Sequence, residues 1–439
     1  MSPSQQRNSD LDSALAEARE RYRAVRPESE RIHRAARAVL PGGNTRSVLF
    51  YTPFPTAMAR GEGCFVEDVD ARRYIDFCGE YTAGLFGHSE PRIQAALHAA
   101  IDRGLNLAAV GERESQLAAL LCARFPSLER VRFTNSGTEA NMMALGAARA
   151  FTGRPGIVAF RGGYHGGLLT LVGGGSPINS PIPVTLADYN DSQQTLEVLR
   201  ARAGEIAAVI LEPMMGSGGC IPARPEFLAA LREASRALGV LLLFDEVMTS
   251  RHSAGGLQKL RGVTPDLTTL GKYMAGGMSF GAFGGRADVM DLFDGHRPGA
   301  LIHSGTFNNN VMTMAGGMVA MGEIFDAAAA EALFARGEGA RARLNTICRA
   351  RGVNMHFSGL GSMMQPHFRA GPIERPYAAS AKEDALRELY FFDLLAAGIY
   401  IARRGMIAMS LPVGPAELES LFAAVEEFCT VRAPFLSEP

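Results

Sequence analysis

The stretch Leu-Thr-Thr-Leu-Gly-Lys-Tyr at residues 267–273, followed by Met-Ala-Gly-Gly, places one lysine between an apolar strand-like run and a glycine-rich turn. The chain has 41 arginines but only three lysines: Lys259, Lys272 and Lys382. A desolvated lysine amine can lose its proton and attack a carbonyl carbon, whereas a guanidinium stays charged. Lys259 and Lys382 lie in polar surroundings, but Lys272 has apolar or small neighbours. Lys272 is therefore either a surface lysine at a strand end or a reactive amine.

Apolar strands and helices alternate in the chain around Lys272. Strands are predicted at residues 131–133, 157–160, 207–211, 240–244, 268–272 and 281–285. This alternation predicts an α/β fold whose central sheet is mostly parallel and flanked by helices, and ligands bind such sheets at the carboxyl ends of the strands.

The same pattern predicts three parts of the chain. An N-terminal helical segment (1–60) contributes to the small domain, a large α/β domain follows (61–325), and a smaller α+β domain ends the chain (326–439). Residues 1–10 are expected to be disordered.

Composition limits the classes of function. The 439 residues are 47% hydrophobic and 20% charged, as in an ordinary globular protein of two or three domains. The net charge of -1 gives no support for binding nucleic acid or an anionic membrane. No apolar run approaches the ~18 residues of a membrane span, and the six cysteines lack metal-ligand spacing. We expect no metal site, and the polar N-terminus favours a cytoplasmic protein.

Residues able to do chemistry follow four of the predicted strands. Ser-Gly-Thr at 136–138 opens a helix, where free N–H groups and hydroxyls suit a phosphate. Tyr164 offers a ring face between glycine pairs, Asp245 could pair with a protonated ring nitrogen, and Lys272 supplies an amine. Each feature alone has an ordinary structural explanation, such as a helix cap or an ion pair. Together they match the requirements of pyridoxal 5′-phosphate (PLP).

Six motifs make a family resemblance specific. They are Phe-Thr-Asn-Ser-Gly-Thr-Glu-Ala at 133–140, Gly-Tyr-His-Gly at 163–166, Leu-Glu-Pro at 211–213, Phe-Asp-Glu-Val at 244–247, Leu-Gly-Lys at 270–272 and His-Ser-Gly-Thr-Phe at 303–307. With them the chain, from about residue 30 onward, resembles the class III (subgroup II) PLP-dependent aminotransferases, which have the fold type I of PLP-dependent transferases.

Two groups within that class share these motifs. The glutamate-1-semialdehyde 2,1-aminomutases usually carry a second histidine after Tyr-His-Gly and Gly-Asn-Pro after the Gly-Thr motif. Here those positions hold Gly167 and Asn-Asn-Asn at 308–310. The chain is therefore more similar to the aromatic β-amino acid (β-phenylalanine) aminotransferases.

The resemblance implies a role for each matching position. Lys272 would carry PLP and move a proton, and Asp245 would keep the ring nitrogen protonated. The other implied cofactor-binding residues are Ser136, Gly137, Thr138, Tyr164, His165, Glu212, Val247 and, from the other subunit of a homodimer, Thr306.

The resemblance also implies how substrates bind. Arg46 and Arg404 would receive the carboxylates, with Tyr81 beside them, although Arg403 directly precedes Arg404 and leaves that choice open. Phe50, Phe54, Phe86 and Met278 join Tyr81 as candidates for an apolar pocket, and ordinary core packing is their alternative role.

The implied reaction moves the amine of an aromatic β-amino acid to a keto acid such as 2-oxoglutarate or pyruvate by a ping-pong mechanism. The partners are small amino acids and keto acids, not nucleic acid or membrane. The alternative is an aminomutase of the glutamate-1-semialdehyde type. More remote alternatives are a racemase of this class and a PLP-binding protein without catalytic activity.

Overall fold

The computed structural model describes residues 10–437, so residues 1–9 of the predicted disordered segment lie outside it. Asp10, the last residue of that segment, is ordered, contrary to the prediction. Its carboxylate accepts a hydrogen bond from the backbone N–H of Ser13 at 3.1 Å and caps the first helix.

Helices and strands alternate along most of the described chain. The helices are α1 (Leu11–Ala24), α2 (Pro27–Ala36), α3 (Pro91–Asp102), α4 (Glu112–Arg124), α5 (Gly137–Thr152), α6 (Ser192–Arg202), α7 (Pro225–Leu238), α8 (Gly256–Arg261), α9 (Ala287–Met290), α10 (Val311–Val319), α11 (Ala327–Ala350), α12 (Ala381–Ala396), α13 (Pro415–Val431) and α14 (Ala433–Leu436). The strands are β1 (Met58–Glu62), β2 (Phe65–Asp68), β3 (Arg73–Asp76), β4 (Arg130–Thr134), β5 (Gly156–Phe160), β6 (Val184–Ala187), β7 (Ile206–Leu211), β8 (Met214–Met215), β9 (Ile221–Pro222), β10 (Leu241–Asp245), β11 (Leu267–Gly271), β12 (Gly281–Gly285), β13 (His356–Leu360), β14 (Met363–His367), β15 (Ile399–Tyr400) and β16 (Ile407–Ala408).

A seven-stranded sheet in the order β4-β12-β11-β10-β7-β5-β6 forms the centre of the protein. β11, β10, β7, β5 and β6 pair in parallel, and β12 runs antiparallel between β11 and β4. The predicted α/β fold with a mostly parallel sheet is confirmed.

Both faces of this sheet are covered by helices, which explains why its strands are continuous apolar runs. In β5, Ile157 and Ala159 pack in a buried cluster with residues of α5. The alternate residues Val158 and Phe160 pack in a second cluster with residues of α7. Burying each large apolar side chain of such strands contributes about 1.5–3 kcal/mol to folding.

The N-terminal and C-terminal thirds of the chain pack together. β15 extends the β1-β2-β3 sheet by pairing in parallel with β3, and α1 packs on α12. A separate three-stranded sheet has the order β13-β14-β16. Residues 61–76, which the predicted division assigns to the large domain, thus share a sheet with residues 399–400, and the division itself stays a prediction. Across residues 10–437, no helix is both long and apolar enough to cross a bilayer.

Candidate active site

The strand ends bring the predicted chemistry to one edge of the central sheet. Ser136 follows β4, Tyr164 lies in the loop after β5, and Glu212 directly follows β7. Asp245 is the last residue of β10, and Lys272 comes directly after β11. Because β4, β5, β7, β10 and β11 point the same way, all five residues lie at the carboxyl edge, where ligands bind in open α/β sheets.

The Asp245 carboxylate is buried and held by three N–H donors. Its Oδ2 accepts hydrogen bonds from Asn141 Nδ2 at 2.8 Å and from His165 Nδ1 at 2.9 Å. Its Oδ1 accepts from the backbone N–H of Val247 at 3.1 Å. Asn141 is fixed in turn, because its Oδ1 accepts from the Thr269 hydroxyl at 2.6 Å. These contacts orient one carboxylate at the floor of the site.

Glu212 organises the loop that carries Tyr164. Its Oε1 accepts from the backbone N–H of Tyr164 at 3.0 Å, and its Oε2 accepts from that of Gly216 at 2.9 Å. Burial raises the pKa of this carboxyl group, and the nearby Asp245 carboxylate raises it further. Glu212 thus fixes the backbone at the start of the loop, and the Tyr164 side chain remains 39% exposed.

Lys272 has the properties of a reactive amine. Its backbone is in the left-handed region, with φ 57, at the turn between β11 and the following 3₁₀ helix. Burial lowers the pKa of its amine to about 8, although the carboxylates of Asp245 and Glu212 act in the opposite direction. The guanidinium groups of Arg404 and Arg46 contribute smaller parts of this lowering, so all four charged groups act on the same amine.

The N-terminus of α5 forms a cradle beside this amine. Ser136 caps the helix, since its hydroxyl oxygen accepts from the Glu139 N–H at 3.2 Å. The Thr138 hydroxyl accepts from the Gly167 N–H at 3.3 Å. The first N–H groups of a helix have no partner within it, so those of residues 137 and 138 are available to a ligand.

Val247 packs against the glycines on both sides of this cradle. A Cβ added to Gly137 would lie 2.8 Å from the Val247 methyl groups, and one added to Gly271 would lie 3.1 Å from Cγ1. A side chain at residue 137 would therefore displace Val247, and one at residue 271 would need Val247 to shift by a few tenths of an ångström.

These residues fit PLP. The Lys272 amine, whose pKa is lowered, suits the aldehyde, and the buried Asp245 carboxylate suits the ring nitrogen. The aliphatic surface at Val247 suits the flat ring, and the helix N-terminus suits the phosphate.

The two predicted carboxylate receptors meet at Tyr81. The guanidinium carbon of Arg46 lies 5.5 Å from the centroid of the Tyr81 ring, and that of Arg404 lies 5.4 Å from it. Arg46 is also paired with Glu80. The neighbouring Arg403 is exposed and pairs with Glu388 at 3.2 Å. The structure thus places Arg404, not Arg403, beside Tyr81.

The other aromatic candidates divide between core and surface. Phe54 and Phe86 are buried in the largest hydrophobic cluster, and Met278 packs against it, so core packing explains all three. Phe50 is 47% exposed. Thr306 is exposed in the segment before α10.

Three residues of this region escaped the sequence interpretation. Asn141 lies one turn inside α5. The sequence pattern that could have predicted its role is its position four residues after Gly137, on a helix that begins at the site. Asp76 ends β3 and Glu80 lies in the turn that follows, and the sequence pattern did not reveal the path of this turn.

Comparison with known proteins places this arrangement in a family. Residues 50–412 match the family described as Aminotransferase class-III. The chain belongs to this family. Its members depend on PLP, so the cofactor predicted from the strand-end residues is confirmed.

The relatives favour one branch of the family. The chain is 51% identical over 418 residues to the beta-phenylalanine transaminase of Variovorax paradoxus, covering 95% of this chain and 96% of that protein. The crystal structure of a beta-phenylalanine aminotransferase from Variovorax paradoxus superimposes with a TM-score of 0.95 at 50% identity, covering 97% of this chain and 99% of the other. The glutamate-1-semialdehyde 2,1-aminomutase of Heliobacterium modesticaldum is 34% identical over 425 residues, covering 92% and 97% of the two chains.

Proposed function

We propose that this aminotransferase transfers the amine of an aromatic β-amino acid such as β-phenylalanine to a keto acid such as 2-oxoglutarate or pyruvate. The observation that carries this proposal is the pair of arginines, Arg46 and Arg404, that meet at Tyr81 and whose charges act on the Lys272 amine. The identity of 51% to a beta-phenylalanine transaminase supports the donor, against 34% to an aminomutase.

Specific residues would hold the cofactor. Lys272 would bind its aldehyde carbon, and Asp245 would hold a proton on its ring nitrogen. The Val247 side chain and the Tyr164 ring would contact the two faces of the ring, while residues 136–138 bind the phosphate. When bound, PLP supplies an electron sink that stabilises negative charge on the carbon that bears the amine.

Lys272 would also move the proton. Once the substrate amine has displaced it, the free amine of Lys272 would take the proton from the amine-bearing carbon and deliver it to the carbon of the cofactor that carried the aldehyde. A pKa of about 8 suits this exchange, because roughly a tenth of the amines are then neutral at pH 7, against fewer than about one in a thousand at the ordinary lysine pKa. In the first half-reaction the donor leaves as a β-keto acid, and in the second the acceptor leaves as an amino acid.

Two arginines suit the two carboxylates that must be recognised. A guanidinium binds a carboxylate through two parallel N–H···O bonds. Arg46 would receive the carboxylate of the β-amino acid, in place of its pairing with Glu80, and Arg404 would receive the α-carboxylate of the keto acid. The Arg404 Nε is buried without a hydrogen-bond partner in the described chain, so a ligand carboxylate would satisfy it.

The active enzyme is proposed to be a homodimer in which Thr306 completes the phosphate site of the other subunit. Exposed apolar side chains near Thr306, among them Ile302 at 88% and Phe307 at 55%, favour a covered surface there. Asn309 donates a hydrogen bond to the carbonyl of Ala109 at 3.3 Å and so joins this segment to the loop of Val110, which is 90% exposed.

Mixed dimers test this arrangement. Lys272→Ala and Thr306→Asp should each be inactive alone, because one lacks the amine and the other places a negative charge at the phosphate. Dimers formed from both variants should regain activity, since a site with Lys272 would receive Thr306 from the other subunit. Mixed dimers that stay inactive would contradict the shared site.

The function is tested by comparing substrates on the purified holoenzyme. β-Phenylalanine with 2-oxoglutarate or pyruvate should yield glutamate or alanine, and α-phenylalanine, its isomer, should react much more slowly. Glutamate-1-semialdehyde without an acceptor should give no product. Conversion of the semialdehyde together with inertness towards β-phenylalanine would refute the proposal in favour of an aminomutase.

A further inference from the structure

The turn that carries Glu80 and Tyr81 has an unusual backbone. Its four residues, Gly79, Glu80, Tyr81 and Thr82, all have positive φ, at 51, 47, 53 and 83. Side chains disfavour this left-handed region because the Cβ atom crowds the carbonyl oxygen, so three successive non-glycine residues need support from their surroundings. At Gly79 no side chain fits, since a Cβ would lie 2.7 Å from the Ala408 carbonyl oxygen.

This turn aims two side chains at the arginines. Glu80 pairs with Arg46, and the Tyr81 ring lies against the guanidinium groups of both Arg46 and Arg404. The Tyr81 hydroxyl donates to the Val48 carbonyl at 3.2 Å, which fixes the far end of the ring. The position of the turn therefore determines where both guanidinium groups lie.

One buried carboxylate anchors the start of the turn. Asp76, the last residue of β3, accepts hydrogen bonds at Oδ1 from the backbone N–H groups of Cys78 at 2.8 Å and Gly79 at 3.0 Å. The Nε2–H of His88 donates to the other oxygen, Oδ2, at 2.9 Å. His88 fits closely beside β1, because a Cβ added to Gly61 would lie 2.5 Å from its ring.

A cavity borders part of the turn. Its volume is about 380 Å³, and Asp76, Glu80, Tyr81 and His88 are among the residues that line it. The hydrogen bonds of Asp76 therefore add to the packing of Gly79 on Ala408 in holding the turn.

We propose that Asp76 and His88 are positioning residues for substrate recognition. They anchor the left-handed turn at residues 79–82, and Glu80 and Tyr81 on that turn fix the positions of the two carboxylate-binding arginines. This inference rests on the proposed function, because it takes Arg46 and Arg404 as the carboxylate receptors. Neither Asp76 nor His88 touches the substrate in this arrangement.

The test is ligand binding to the holoenzyme, which needs no turnover. 3-Phenylpropanoate has the ring and carboxylate of the donor but no amine, and 3-phenylpropan-1-ol has the same skeleton without a carboxylate. His88→Ala should weaken binding of the acid by roughly tenfold, the order expected from losing one hydrogen bond to a charged group. Binding of the alcohol should stay within about twofold. His88→Gln, whose Nε2 can donate to Asp76, should restore most of the affinity for the acid.

Control variants separate positioning from general damage. His296 pairs with Asp294 at the same distance of 2.9 Å on the surface, so His296→Ala should leave both affinities unchanged. If His88→Ala does not fold, Asp76→Asn tests the same anchor, because it removes the charge that His88 binds. Equal loss for acid and alcohol, or no loss for the acid, would overturn the inference. A wild-type enzyme that binds both ligands equally would instead refute the proposed receptors, and the inference with them.

Discussion

Replacing Asn141 by aspartate tests the geometry at the floor of the site. The Asn141 Nδ2 lies 2.8 Å from Asp245 Oδ2, and the substitution is isosteric, so it puts a second carboxylate oxygen at that distance. Both residues are buried, at 1% and 3% exposure, so water cannot separate the charges. The change therefore turns a hydrogen bond into a contact between two acids.

The size of the effect follows from that distance. Two unit charges 2.8 Å apart repel by about 6 kcal/mol at an effective dielectric constant of about 20. At about 1.4 kcal/mol per pKa unit, the repulsion raises the apparent pKa of the pair by about 4 units above the ordinary 3.9. The folded variant then holds one proton that the unfolded chain has lost. This costs about 4 kcal/mol of unfolding free energy at pH 7 but only about 1.5 kcal/mol at pH 5.

Thermal unfolding without PLP measures this dependence on pH. Because the pair's pKa is raised in the folded state, the penalty vanishes below the unfolded pKa and grows as the pH rises towards the folded pKa. The gap in melting temperature between wild type and Asn141→Asp should therefore widen from about pH 5 to about pH 7. Asn141→Ala introduces no titratable group, so its gap should stay constant. A constant gap for Asn141→Asp as well would refute the contact between Asn141 and Asp245.

Three further predictions concern single residues. PLP-free protein should regain covalently bound PLP faster as the pH rises, and the rate should level off above about pH 8, because only the neutral Lys272 amine attacks the aldehyde. A rate that keeps rising towards pH 10 would contradict the lowered pKa of Lys272. Arg404→Ala should raise the KM for 2-oxoglutarate at least tenfold, because it removes a charged hydrogen-bond donor. Arg403→Ala breaks only the pair with Glu388 and should leave this KM nearly unchanged. Equal effects of the two substitutions in steady-state kinetics would contradict the assignment. Gly137→Ala should cost about 1–3 kcal/mol of unfolding free energy, since its Cβ would lie 2.8 Å from the Val247 methyl groups. Adding Val247→Ala should recover most of this loss in thermal unfolding. Losses that simply add in the double variant would refute the clash.

The strand ends were predictable from the sequence because each buried apolar run stops at a polar residue. Asp245 and Lys272 directly end such runs, and parallel strands bring their carboxyl ends together whatever the details of packing. The order of the strands and the antiparallel course of β12 depend on which strands pair, and alternation alone does not encode this.

The surroundings of the site were harder to predict. Arg403 and Arg404 are adjacent in a short loop, and only its backbone path decides which one meets Tyr81. The contact of Asp76 with His88 depends on a left-handed turn between them. Non-glycine residues rarely adopt this conformation, so the sequence did not predict it. Asn141 serves the site from inside a helix, where an asparagine is usually a surface residue.

The most direct test of the central claim is a half-reaction without acceptor. Purified holoenzyme is mixed with β-phenylalanine alone, while the visible absorbance of the cofactor and the release of β-keto acid are followed. The account predicts that the visible absorbance falls, that one keto acid is released per active site, and that adding 2-oxoglutarate restores the absorbance with an equal amount of glutamate. The Lys272→Ala variant should release no keto acid, and its absorbance should show neither the fall nor the recovery. Unchanged absorbance in the wild type, or full conversion by Lys272→Ala, would contradict the account.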